Sequence, residues 1–227
     1  MKGVLAAAVA HDVKNRLVIL GEELSRLAAM SLPPEAQAHV ATANLQAMML
    51  TSKLVEWLTV QRASEGAGLR AVPHEEVPEL FLEDVVSQAL PLAAGRIQIA
   101  KDVGDVPGFW FYDPQLVRLA IDSALHNALR FAKSRITLGV RMDAGQLCFF
   151  VQDDGPGVSP QGRSQGEFRS AQHGGCPMSH EPGAASTGLG MRLCNEVAQA
   201  HKNRGVHGHC TLRDHHSGGA IFELYLP

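Results

Sequence analysis

Charge is scarce in this sequence. Only 19% of its 227 residues are Asp, Glu, Lys or Arg, and lysines and arginines nowhere form a run. A nucleic-acid-binding face needs clustered cations, so a formal charge of -3 without a basic stripe argues against that class. The same scarcity, with 45% hydrophobic residues, argues against a disordered tail and allows a real core. No apolar run is long enough to span a bilayer. The opening MKGVLAAAVA has the look of a short signal h-region, but it runs straight into HDVKNRL, and its apolar positions continue a helical pattern. Cysteine is also sparse. Cys148, Cys176, Cys194 and Cys210 form no C-x-x-C pair, which fits a reducing cytoplasm rather than a disulfide framework. There is no internal repeat.

Two amphipathic stretches come first. Leu5, Val9, Val13, Leu17, Leu20, Leu24 and Leu27 recur at threes and fours, as on a bundle helix. Pro33 and Pro34 break the pattern and suit entry into a new helix. Val40, Ala43, Ala47, Leu50, Leu54, Trp57 and Leu58 resume it. This spacing predicts an antiparallel hairpin over residues 1–63. Two helices alone cannot bury both flanks, so a homodimer forming a four-helix bundle is the expected completion, with Trp57 and Met48-Met49 in core or dimer packing. Residues 64–72 read as a linker, with Gly66 and Gly68 in it. Residues 73–227 read as an α/β sandwich. Helices are predicted over 80–92, from Asp113-Pro114 to about 133, and over 188–201. Strands are predicted over 96–100, 109–112, 136–142, 147–151, 210–212 and 220–226. Residues 159–187, rich in Gly, Ser and Pro, read as a long loop.

Three short motifs in the second part point to a nucleotide. Asp153, Gly155 and Gly157 form a D-x-G-x-G turn at a strand end. There the carboxylate suits an exocyclic purine amine, and the glycines admit a base against the backbone. Thr187, Gly188, Leu189 and Gly190 open a helix whose first N–H groups suit phosphates, although no Gly-Lys-Ser/Thr follows to make a Walker loop. Asn127 lies within an otherwise apolar helical stretch, with Arg130 three residues on. As a site group it would ligate Mg²⁺ beside the phosphates, with Arg130 reaching the same phosphates; as a plain core group it would be a satisfied amide.

In chain order, Asn127 first, then D-x-G-x-G and then T-G-L-G, these motifs resemble the N, G1 and G2 boxes of the GHKL-type (Bergerat) ATPases, and in particular of sensor histidine kinases. The resemblance extends over essentially the whole chain. It implies a dimeric helical hairpin followed by an ATP-binding α/β sandwich, with ATP and Mg²⁺ as ligands. The run Val9 to Leu17 is similar to the H-E-x-x-N-P-L form of the histidine-kinase H box. At about 100° per residue, His11 falls opposite the leucine stripe and Asn15 shares its face. The resemblance therefore implies that His11 attacks the γ-phosphorus of ATP while Asp12 orients the ring. The phosphoryl group then passes to an aspartate on a response-regulator receiver domain. The Asp12…Asn15 pair also looks like the family's phosphatase motif. The loop over 159–187 is expected to close over ATP.

Several positions depart from the family pattern. Ser123 stands where the first N-box Asn is usual, Ser186 where a further G2 glycine is common, and Asp154 where Asn is frequent. Arg16 replaces the proline after the H box, which should remove a kink. Glu167-Phe168 is the remnant of an F box, if one exists. His207, His209, Cys210, His215 and His216 raise the question of zinc, but solvated loop histidines are the better reading. A second function stays open: a histidine phosphotransferase with a kinase-like fold and no autokinase activity. An ATPase clamp of the gyrase kind leaves His11 unexplained. Ten residues precede His11, so any sensory input is expected from a longer parent chain or a separate sensor protein.

Overall fold

A computed structural model describes residues 2–28, 30, 32–64, 69–93, 96–158 and 188–227, with the side chains of residues 2–11, 14 and a few positions of the second helix left out. Thr187, Ser186, Cys176, Glu167-Phe168, the expected lid over 159–187, the middle of the expected linker and the His11 side chain thus lie outside the described residues.

The first two elements are long helices, α1 (Lys2–Ala28) and α2 (Pro34–Ser64), packed on each other. Pro34 opens α2 at the position where its missing N–H costs nothing. α1 continues through Arg16, the position where the family usually has a proline. The leucine stripe is not sealed within one chain. Val13, Leu20, Leu27 and Leu50 are 41%, 49%, 42% and 58% exposed, and Trp57, read as packing, is 38% exposed. Each helix therefore carries apolar surface beyond what its hairpin partner covers.

The rest of the chain folds as strand β1 (His74–Glu76), helix α3 (Pro78–Ala93), strands β2 (Gln98–Val103) and β3 (Trp110–Tyr112), helix α4 (Pro114–Phe131), strands β4 (Arg135–Asp143) and β5 (Gln146–Asp153), and helix α5 (Leu189–Ala200). It ends in strands β6 (Lys202–Asn203), β7 (Val206–His207), β8 (His209–Asp214) and β9 (Ala220–Leu226). Five strands form one sheet in the order β2-β4-β5-β9-β8, with only the β2–β4 pair parallel. β3 leaves this sheet and pairs with β1. The β1 strand and the β6–β7 hairpin were not foreseen, because two or three residues are too few to show a period of two. The β4–β5 turn has Ala144 at φ 48° and Gly145 at φ 80°, the doubly positive geometry that matches the twist of the flanking strands.

Alternation along the strands sends Ile136, Leu138, Phe149, Val151 and Leu224 to one face, where α3, α4 and α5 cover them. Phe81, Tyr112 and Phe149 meet edge to face at its centre, with ring centroids 5.2–5.6 Å apart. On the opposite face Phe150 lies over Gly139, and Glu223 is buried among Arg141, Arg213 and Thr211.

Candidate nucleotide site

The site begins with α4. Asp113 caps it, accepting the N–H groups of Gln115 and Leu116 on Oδ1, both at 3.1 Å, and Pro114 supplies the fixed φ of the first turn. Its apolar residues Ala124, Leu125 and Ala128 enter the core, which leaves Ser123 buried and Asn127 half-buried beside them. The start of α5 approaches these two. A Cβ built on Gly190 would stand 2.7 Å from Ser123 Oγ and 3.7 Å from Asn127 Nδ2, so no side chain fits there without displacement. Gly188, at φ 65°, is the N-cap of α5 and contributes no side-chain cap, which leaves the first N–H groups of the helix to other acceptors.

At the other end of the site, β5 delivers Asp153. Its Oδ1 accepts the N–H of Gly155 at 2.8 Å and that of Ala220 at 3.4 Å. Burial pushes this carboxyl up, and the two N–H bonds offset part of the rise. Gly155 has no room for a side chain, since a Cβ there would lie 2.5 Å from Phe131 O. Gly157 turns at φ 87° against Asp214, whose Oδ1 also accepts the Val158 N–H at 2.6 Å. Asp154 points away from the turn. It accepts N–H groups of Lys133 and Ser134 at 2.8 and 3.0 Å and the Ser134 hydroxyl at 2.7 Å, bracing the link from α4 to β4. Burial is the largest single influence and works against its ionisation, but these bonds together outweigh it and hold the carboxyl well below the usual range. The departure from Asn at this position thus has a structural use.

The hairpin residues differ in what can be said of them. His11 lies within α1. Asn15 is exposed, as its place on the helical wheel leads one to expect, and so is Asp12. Asp12 Oδ2 pairs with Arg16 Nε at 3.1 Å, one turn on, with both side chains largely in water. The residue that stands in for the family's proline is therefore a partner of the acid beside His11. Arg130 is exposed, with its guanidinium 5.0 Å from the centre of the Phe131 ring. Leu189 is half-buried at the start of α5. Among the C-terminal histidines, His209 stacks on Tyr225 and His215 bonds Gln152 and Ser217. Among the described residues no three His, Cys, Asp or Glu gather in a metal-holding group.

Sequence reasoning missed two residues at this site. Glu56, on α2, is fully buried and accepts the Ser123 hydroxyl at 2.7 Å. Lys53, one turn before it, pairs with the same carboxylate at 2.8 Å and also reaches 3.7 Å from the Gly190 Cβ position. A signal was present, because Glu56 is a lone acid within the apolar run Leu54 to Leu58. A groove of about 620 Å³ lies nearby between α1, α2 and α4. It is lined by Asp122 and His126, not by Ser123 and Asn127, and so borders the nucleotide site without belonging to it.

This arrangement has clear relatives. Residues 112–227 match the family described as Histidine kinase-, DNA gyrase B-, and HSP90-like ATPase. The chain belongs to that family. Its ATP-binding domain is of the GHKL type, as the motif order implied. It is 32% identical to the sensor histidine kinase CpxA of Escherichia coli K12 over 98% of its own length. It is 24% identical to the sensor protein TorS of the same organism over its full length. The chain spans 46% of CpxA and 24% of TorS. Among solved structures, full-length ShkA in complex with AMPPNP superposes with a TM-score of 0.59 at 22% identity, over 97% of this chain and 45% of that one. The Acinetobacter baumannii histidine kinase AdeS gives 0.56 at 14% identity, over 95% and 96% of the two chains. These two likenesses concern the fold.

Proposed function

We propose that this GHKL-family chain is the catalytic core of a sensor histidine kinase, which phosphorylates His11 from ATP and hands the phosphoryl group to a receiver-domain aspartate. The observation that carries this reading is the convergence of Asn127 and Gly190 at the junction of α4 and α5, downstream of a helical hairpin bearing His11. The donor set fits Mg·ATP. A half-buried Asn amide is a hard oxygen ligand, an uncapped helix start offers N–H groups to phosphates, and Asp153 keeps Oδ2 for the adenine amine. Asn127 would hold the Mg²⁺, which when bound neutralises phosphate charge.

The protein's own residues do the rest. A neutral His11 nitrogen attacks the γ-phosphorus in line, the bond to the β,γ-bridging oxygen breaks, and ADP leaves. Asp12 stabilises the charge that develops on the imidazole. Arg130 is long enough to leave Phe131 and meet the phosphates. Asn15 positions a water against the phospho-aspartate of the regulator in the reverse, phosphatase, reaction. The exposed apolar positions of α1 and α2 favour a homodimer with a four-helix bundle. The unbridged Cys148, Cys194 and Cys210 suit a cytoplasmic setting.

Incubation with γ-labelled ATP and Mg²⁺ tests the reading. Acid-labile label that disappears in His11→Ala is the expected result. An unlabelled wild-type chain that accepts phosphate from a phospho-regulator would instead establish the phosphotransferase.

A further inference from the structure

Glu56 is 0% exposed, and a carboxylate taken out of water needs partners. It has two. Its Oε1 accepts the Ser123 hydroxyl at 2.7 Å, and its Oε2 accepts the Lys53 ammonium at 2.8 Å. Both partners stand where phosphates belong. Ser123 Oγ, Asn127 Nδ2 and Lys53 Nζ all lie within 4 Å of the Cβ position of Gly190, in the first turn of α5. The hairpin thus sets an anion at the phosphate end of the nucleotide site and holds it by a hydroxyl and a cation of that site.

We propose that the Glu56 carboxylate and the nucleotide's phosphates are alternative occupants of one anion site, so that docking of α2 and binding of ATP oppose each other. The inference rests on the ATP reading given above. A triphosphate arriving at Asn127 and Gly190 places negative charge beside a carboxylate that no water screens. It also competes for Lys53 and Ser123, and Glu56 cannot remain buried without them. α2 therefore leaves α4 and α5 as the phosphates settle. The contact lies at a useful height on the hairpin. His11 and Lys53 are 17 and 19 residues from the ends of α1 and α2 at the turn. At the helical rise these separations are about 26 Å and 29 Å. Release of α2 thus frees the ATP domain to move at the level of the phospho-acceptor. Ser123 makes this arrangement fit, since its short hydroxyl reaches Glu56 in a space already tight against Gly190.

Trp57, next to Glu56, reports on it. The chain has two tryptophans, so Trp110→Phe leaves Trp57 as the single emitter on α2. In this background Mg·ATP should shift the Trp57 emission, whereas adenosine, which has no phosphates, should bind without shifting it. Glu56→Gln keeps size and a hydrogen bond to Ser123 but removes the charge. It should tighten Mg·ATP binding by about fivefold or more, and Glu56→Ala by at least as much. Wild-type chain that binds ATP while Glu56→Gln binds it equally or more weakly overturns the competition. So does an identical emission shift with adenosine. Wild-type chain that takes up no ATP in equilibrium dialysis instead refutes the ATP reading itself, and the proposal with it.

Discussion

The imidazole of His201 accepts the backbone N–H of Asp113 on Nε2 at 3.0 Å, joining the C-cap of α5 to the N-cap of α4. Its Nδ1–H donates to Val197 O at 2.8 Å, so both nitrogens are spoken for and the tautomer is set. The bond pins the two helices at the ends away from Asn127 and Gly190. The spacing of the helix pair that frames the nucleotide site is thus held from its far end.

This histidine makes stability depend on pH. Accepting at Nε2 requires a neutral ring, and burial lowers the His201 pKa from 6.5. As pH falls the unfolded chain takes up the proton first, so the contribution is complete above the unfolded value and is lost progressively below it. The urea midpoint should hold between pH 8 and 7 and drop toward pH 5. His201→Gln should flatten this drop without removing it, because burial also lowers His126. An equally steep drop in the variant would refute the account.

Asp113→Ala removes the acceptor for Gln115 and Leu116, and on Oδ2 for the Val72 N–H at 3.0 Å. The expected loss is about 1–2 kcal/mol in chemical denaturation, with Asp113→Asn recovering most of it.

Gly139→Ala should cost about 1–3 kcal/mol, since its Cβ would run into the Phe150 ring and fall 2.7 Å from Asp102 O, within a paired strand. A thermal melt reads this directly, and ATP affinity at a temperature where the variant is folded should not change.

Asp153→Asn keeps the shape of the G1 turn but loses the charge that would accept from adenine. ATP affinity by calorimetry should fall about tenfold or more, with the far-UV circular dichroism spectrum unchanged. Full affinity would place the adenine elsewhere.

Asn15→Ala separates the two proposed activities. Autophosphorylation at His11 should persist, while dephosphorylation of a phosphorylated receiver domain should fall. Loss of both would assign Asn15 to His11 chemistry instead.

Much of this was legible in the linear sequence because it is local. Helical periodicity, the Asp113-Pro114 start, the strand patterns of β4 and β5, the apolar run of β9, and the glycines of the two phosphate-and-base turns depend on neighbours a few residues apart. The order of those motifs was enough to indicate the ATPase family. Strand order was not, and neither was the pairing of β3 with β1, because pairing joins segments distant in sequence and leaves no local pattern in either of them. The same holds within the site. His201 meets Asp113 across 88 residues and Glu56 meets Ser123 across 67. A lone acid in an apolar helix can end in water or in a core. Its fate depends on whether another helix brings a hydroxyl and a cation within bonding distance, and only the packed structure, by setting α2 against α4 and α5, decides that.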